Sequence, residues 1–459
     1  MDQITKPHCG ARLDRLPDCR WHSSMFAIVA FGLLVCWSNA VGGLILAQLK
    51  ALGWTDNSTT ATFSAITTAG MFLGALVGGI IGDKTGRRNA FILYEAIHIA
   101  SMVVGAFSPN MDFLIACRFV MGVGLGALLV TLFAGFTEYM PGRNRGTWSS
   151  RVSFIGNWSY PLCSLIAMGL TPLISAEWNW RVQLLIPAIL SLIATALAWR
   201  YFPESPRWLE SRGRYQEAEK VMRSIEEGVI RHTGKPLPPV VIADDGKAPQ
   251  AVPYSALLTG VLLKRVILGS CVLIAMNVVQ YTLINWLPTI FMTQGINLKD
   301  SIVLNTMSMF GTPFGIFIAM LVMDKIPRKT MGVGLLILIA VLGYIYSLQT
   351  SMLLITLIGF FLITFVYMYV CYASAVYVPE IWPTEAKLRG SGLANAVGRI
   401  SGIAAPYAVA VLLSSYGVTG VFILLGAVSI IVAIAIATIG IETKGVSVES
   451  LSIDAVANK

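Results

Sequence analysis

Gly79-Ile-Ile-Gly-Asp-Lys-Thr-Gly-Arg-Arg88 lies between two long apolar runs. Gly78, Gly79 and Gly82 allow helices to approach closely, Gly86 permits a tight turn, and Asp83 is followed by Lys84, Arg87 and Arg88. A weaker copy follows at Asp324, Lys325, Pro327, Arg328 and Lys329. Its offset, 324 minus 83 or 241 residues, is about half of the 459-residue chain, so the sequence reads as one unit used twice.

The composition fits that reading. The chain is 56% hydrophobic and 12% charged, with mean hydropathy +0.71, whereas about a quarter of the residues of soluble proteins are charged. This is the profile of a polytopic membrane protein. The net charge of +9 would suit nucleic acid on a soluble face, but here the cations fall on loops between apolar runs and serve topology. Seven cysteines, at positions 9, 19, 36, 117, 163, 271 and 371, form no Cys-x-x-Cys pair and read as packing residues. The polar, basic stretch through Trp21 shows no small-residue cleavage site, which argues against a cleaved leader.

The expected fold is an all-α membrane protein of twelve transmembrane helices in two six-helix bundles. Spans such as Met25 to Leu49, Val152 to Ile174, Ser391 to Leu413 and Val418 to Ile441 approach or exceed the roughly 20 residues that a bilayer requires. The bundles are residues 1–200 and 264–459, with a short tail closing the second. Residues 201–263 form a cytoplasmic connection, amphipathic and charged to about His232 and proline-bearing thereafter. Of the 33 Lys and Arg residues, Lys50, Arg181 and Lys299 fall on outer loops, Arg118 and Arg399 fall within helices, and the rest fall on cytoplasmic segments when both termini are inside. The expected location is a bacterial inner membrane, crossed many times.

The repeat recurs elsewhere. Glu138-x-x-Pro141 with Arg145-Gly146 returns as Glu380-x-x-Pro383 with Arg389-Gly390, and Glu204 after the sixth helix has a counterpart in Glu442 after the twelfth. These motifs, with Pro203-Glu-Ser-Pro-Arg-Trp-Leu209 and Ile441-Glu-Thr-Lys-Gly445, make the chain resemble the major facilitator superfamily over essentially its whole length. Within it the chain is similar to the sugar-porter and metabolite:proton symporter branch, and most similar to inner-membrane metabolite transporters of enteric bacteria. Ile441 stands where the sugar-porter motif has proline.

The resemblance implies that Asp83, Arg87, Arg88, Glu138, Arg145, Glu204, Arg207, Asp324, Arg328, Glu380, Arg389 and Glu442 belong to a cytoplasmic gate of ion pairs that break as the transporter opens inward. The plainer alternative is positive-inside topology, which needs cations but not acids at repeat-related places. Because Pro327 replaces the glycine and the second loop is less complete, the N-terminal latch is expected to be the stronger.

At membrane depth, polar groups are costly and so point to function. Arg118 lies six residues beyond Asp112, about 9 Å into the fourth helix. Sugar porters pair the matching arginine with an acid of the first helix, yet Met25 to Leu49 contains no Asp or Glu. Arg399 is a second intramembrane cation, and the two together suit a substrate bearing a carboxylate. Donation to backbone carbonyls is the alternative for each. Asn277, Gln280, Tyr281 and Asn285 recur at helical spacing on the seventh helix; Trp37, Asn39, Asn157, Trp158, Tyr369 and Tyr372 offer similar chemistry. The resemblance implies a central path lined by helices one, four, seven and ten, where such residues would contact substrate; the alternative is hydrogen bonding between helices. Glu95 and His98, spaced i, i+3 on the third helix, are the candidates for carrying a proton, against a structural or lipid-boundary role.

The function expected is secondary active transport of a small polar metabolite, sugar-like or carboxylate-bearing, by proton symport and alternating access. Facilitative uniport, or export of an organic or aromatic acid, is the alternative within the class; a transport-incompetent membrane sensor is the alternative outside it. Gly122-x-Gly124-x-Gly126 follows no strand and reads as a packing seam. No metal-ligand spacing or catalytic constellation stands out, so no enzyme, cofactor or nucleic-acid partner is expected. The expected partners are substrate, protons and the bilayer, with the chain a monomer.

Overall fold

The computed structural model describes residues 7–17, 20–36, 38–140, 145–240, 253–323, 325–382 and 386–444. Among these, every regular element is a helix. Among the described residues, nine helices are long and apolar enough to cross a membrane, and the other spans are those the chain interrupts or fuses. The first span is two helices, Arg20–Val35 and Gly42–Ala51, parted by residues 36–41. The fifth is likewise Arg145–Asn157 and Ser159–Leu170. The eleventh and twelfth form one helix, Lys387–Ile439, divided by Gly417 at φ 64°, a conformation that glycine adopts without strain. The expected twelve spans result.

Local chemistry sets several boundaries. Asn110 caps Met111–Tyr139 by accepting the Phe113 N–H at 2.9 Å, and Asn297 caps Leu298–Met309 by accepting that of Asp300 at 2.8 Å. The tenth span, Met352–Cys371, passes into a π turn at Tyr372–Tyr377. Pro379 follows, and its missing N–H cannot continue the regular ladder.

Glycines dock the second span onto the fourth. A Cβ on Gly70 or Gly74 would strike the carbonyl oxygen of Phe119 or Val123, so these backbones touch directly. In the second half, Gly311 and Gly315 meet the Phe360 and Thr364 carbonyls in the same way. The differences 311 minus 70, 315 minus 74, 360 minus 119 and 364 minus 123 are all 241. The loop motif's repeat therefore extends into the membrane as a repeat of helix contacts. The Gly122 to Gly126 run is a seam of this type: Gly124 abuts His98 of the third span and Gly126 abuts Met71 of the second.

The chain packs as two compact units. The first comprises Met1–Asn39, Gly70–Ser159 and Leu184–Gly246; the second comprises Ala40–Ala69, Tyr160–Gln183 and Lys247–Lys459. Segments 40–69 and 160–183 thus pack with the second half of the sequence. Within the first unit, the helix Cys9–Asp14 lies on Pro206–Ser211 and Tyr215–Thr233 through Leu13, Trp208, Leu209, Met222 and Ile225. Arg12 and Arg15 reach Glu226 at 2.7 and 2.6 Å. The expected amphipathic helices of the connection are these, and their apolar face covers the N-terminal helix.

Candidate functional site

Breaking the first span releases backbone groups that an intact helix would bond internally. Ser38 lies in that break. Its carbonyl oxygen accepts from Arg118 Nη1 at 2.7 Å, and its Oγ is 2.7 Å from His98 Nε2. His98 Nδ1 faces Glu95 Oε2 at 3.4 Å, and the Cys36 thiol faces Glu95 Oε1 at 3.8 Å. Ser38, Glu95 and His98 are 0% exposed and Arg118 is 1% exposed. Gly124 lets the backbone that carries His98 come close, since a Cβ there would stand 3.0 Å from the His98 backbone nitrogen. The run Glu95, His98, Ser38, Arg118 joins the third, first and fourth spans inside one unit. Sequence spacing offered no metal cluster. The fold does bring the donor atoms of Cys36, Glu95 and His98 within 4.8 Å of one another, but the thiol and imidazole are taken up by the two carboxylate oxygens.

Other expected contact residues are more scattered. Trp37 lies outside the described residues. Asn39 is half-buried in the turn after Ser38. Asn157 and Trp158 sit at the break in the fifth span, where the Asn157 amide donates to the Ser153 carbonyl at 2.8 Å. In the second unit, Asn277 donates to the Leu273 carbonyl at 2.7 Å, Gln280 donates to the Tyr367 hydroxyl at 3.5 Å, and Tyr281 packs on Gly402. The Asn285 backbone closes on Gly43. Tyr369 donates to the Val272 carbonyl at 3.1 Å; Tyr372 stacks on Tyr377 with centroids 5.0 Å apart, against Gly332. Arg399 is half-buried and makes no described hydrogen bond or ion pair.

Several participants escaped the sequence reading. Ser38 is one, hidden between Trp37 and Asn39. Tyr160 and Tyr367 meet edge to face at 5.5 Å, and Asn305 donates to Ser164 Oγ at 3.2 Å. Their only sequence signal was a polar atom inside an apolar run, a weak signal for serine and tyrosine because both are also common packing residues.

At the cytoplasmic ends, Arg87 pairs with Glu138 at 2.8 Å and Asp83 at 2.7 Å, while Glu204 Oε1 accepts the backbone N–H of Arg87 and Arg88 at 2.7 and 3.2 Å. In the second copy, Arg328 pairs with Glu380 at 3.0 Å, and Glu442 accepts the backbone N–H of Arg328 and Lys329 at 2.8 and 3.1 Å. Burial works to raise the Glu442 carboxyl, but hydrogen bonds from Arg328, Lys329 and Lys444 outweigh it and hold the group below its usual value. Arg207 engages Asp14 of the N-terminal helix at 2.9 Å, and Arg389 lies over the Tyr254 ring at 5.2 Å. The Arg145 side chain and Asp324 fall outside the described residues. Each of these bonds joins groups of one unit, so it ties helix ends within that unit.

The Major Facilitator Superfamily family model matches residues 26–406. The chain is 99% identical, over all of both sequences, to YdjK of Escherichia coli (strain K12), whose name assigns it provisionally to metabolite transport. It is 44% identical, over 96% of this chain and 98% of the relative, to the inner membrane metabolite transport protein YdjE of the same strain. Its fold matches the partially occluded inward-open structure of the xylose transporter XylE from E. coli at TM-score 0.73 and 18% identity, covering 93% of this chain and 100% of that one. The chain belongs to the Major Facilitator Superfamily, and it is a multi-pass membrane transporter rather than an enzyme.

Proposed function

We propose that this chain is a proton symporter of the bacterial inner membrane, moving a small polar metabolite, sugar-like or carboxylate-bearing, by alternating access. The observation that carries the reading is the buried run Glu95, His98, Ser38, Arg118. A proton taken up on the Glu95–His98 pair changes which atom donates at Ser38. Arg118, held by the same residue, is the polar anchor for substrate. Alternating access draws support from the second unit. There segments 40–69 and 160–183, outer ends on the expected topology, join the second half through Gly43 against Asn285, Ser164 with Asn305, and Asn57 with Ser414 at 2.9 Å. These contacts must part for the outer face to open.

Uptake into proteoliposomes under an imposed pH gradient, across sugars, polyols, sugar acids and aromatic acids, tests the reading. The expected result is gradient-dependent accumulation of one class, falling at least about tenfold in Arg118→Ala, the loss of one charged hydrogen bond. Accumulation indifferent to the gradient would overturn symport.

A further inference from the structure

Charge inside the first unit is sparse enough to count. Among its described residues, the Asp, Glu, Lys, Arg and His side chains buried inside the spans are Glu95, His98 and Arg118. The other Asp, Glu, Lys and Arg side chains described in these helices are half-buried or exposed, and the buried His22 stands in the first turn of its helix. The groups facing the Glu95–His98 pair are the Cys36 thiol and Ser38 hydroxyl from the first span and Gly124 from the fourth, with Arg118 joined through the Ser38 peptide. On its own helix the pair is flanked by Tyr94, which donates to the Gly78 carbonyl, and Ser101, which donates to the His98 carbonyl.

With His98 neutral, the Glu95 carboxylate and the Arg118 guanidinium cancel. One added proton takes the cluster to a net charge of plus one, whichever member of the pair receives it. Net charge at this depth is costly. A single negative charge laid on Arg118 brings the total back to zero. Proton and monoanion are therefore each disfavoured alone and favoured together, and the linkage is reciprocal. A neutral sugar would leave the proton's charge uncompensated. Arg399, in the other unit, contributes the same fixed charge in empty and loaded states and does not alter the charge that moves.

We infer that the substrate is a monocarboxylate entering with one proton per molecule, so that transport is electroneutral. The inference rests on the proton-coupled reading above and narrows it to one substrate class and one stoichiometry.

Proteoliposomes holding the full chain separate the two driving forces, with valinomycin and potassium setting the membrane potential independently of the pH gradient. The probes are radiolabelled monocarboxylates, a sugar acid and an aromatic acid, each beside its neutral amide. The expected result is monocarboxylate accumulation approaching tenfold per unit of pH gradient, unchanged by an interior-negative potential of about 100 mV, with no accumulation of the amide. One net positive charge moving per cycle would add about 50-fold accumulation at that potential. A gain of that kind, or gradient-driven accumulation of the neutral probes, overturns electroneutral monocarboxylate transport while leaving proton symport standing. If the gradient drives accumulation of no solute, the symport reading fails and this inference fails with it. Glu95→Gln gives an independent arm: its cluster keeps a positive charge without an added proton. Gradient-driven accumulation should fall to none, and monocarboxylate entry should become sensitive to potential. Glu95→Gln that still accumulates with the pH gradient and ignores potential would overturn the charge count.

Discussion

Gly86 and Pro327 occupy the same place in the two copies of the loop, 327 minus 86 being 241, yet they take different backbone routes. Gly86 has φ 97° and ψ 163°, whereas Pro327 has φ −55° and ψ 140°. Both routes deliver the next residue's N–H to a glutamate, Glu204 or Glu442, and both aim an arginine at another, Glu138 or Glu380. The repeat keeps the bonds and varies the path to them. The expectation that the proline-bearing copy makes the weaker latch does not follow from this packing. The Arg328 side chain is 6% exposed against 17% for Arg87, and the Thr443 hydroxyl adds a bond to Glu380 at 2.6 Å. The first copy's Asp83 is 68% exposed, and its counterpart Asp324 lies outside the described residues.

Exchanging the two residues should break the comparison most visibly. Proline at position 86 cannot reach φ 97°, loses the N–H that Gly86 donates to the Gly82 carbonyl at 3.2 Å, and would crowd the Glu204 carboxylate. Gly86→Pro should cost about 3 kcal/mol or more. Pro327→Gly loses only preorganisation, about 0.4–1 kcal/mol. Equal losses in thermal unfolding would mean that the two routes are interchangeable.

Deleting the paired acids comes next. Glu380→Ala removes the ion pair of a buried guanidinium that keeps the Met323 carbonyl, together with the Thr443 bond, and should cost about 2–3 kcal/mol. Glu138→Ala leaves Arg87 its Asp83 partner and more water, so about 1–2 kcal/mol is expected. A larger loss at Glu138 would restore the stronger N-terminal latch.

Acidification gives a smaller effect. Because the Glu442 carboxyl is held below its ordinary value of about 4.3, its contribution is complete at neutral pH. That contribution declines as the pH falls below the unfolded value and is lost through the lowered folded one. It should amount to less than about 1 kcal/mol at this partly exposed site. Melting curves of Glu442→Gln should accordingly approach those of the parent as the pH drops below about 4; a constant gap would contradict the assignment.

The differing legibility of these features has a physical basis. Helices, topology and repeat were legible because apolar length, loop cations and glycine placement are local properties of the chain. Arg118 and the Glu95–His98 pair stood out because ionisable groups are rare at membrane depth. Their connection was not legible, because it runs through a serine in a helix break and through a carbonyl oxygen that any residue would supply. Equally hidden was the docking of segments 40–69 and 160–183 with the second half, since tertiary contacts across hundreds of residues leave no periodic trace. Pro327 is similar: its identity shows that glycine is absent, but not that a second backbone path brings the next N–H to a glutamate of its own, Glu442.

Asp83→Asn should have the smallest effect, although Asp83 sits at the centre of the motif from which the fold is read. Its carboxylate meets Arg87 across the turn at Gly86 and is mostly in water, an arrangement worth about 0.2–1 kcal/mol. Its backbone carbonyl is more firmly engaged, accepting from Trp208 Nε1 at 2.7 Å and from Arg212, and the substitution leaves that oxygen in place. The expected outcome is a melting shift close to experimental error, vanishing in about 1 M salt as screening removes the remaining attraction, with transport slowed less than in Glu138→Ala. If Asp83→Asn instead slows transport as severely as Glu138→Ala while leaving melting unchanged, Asp83 must gain a partner in another step of the cycle. The difference between the two copies would then lie in their motion rather than in the bonds they share.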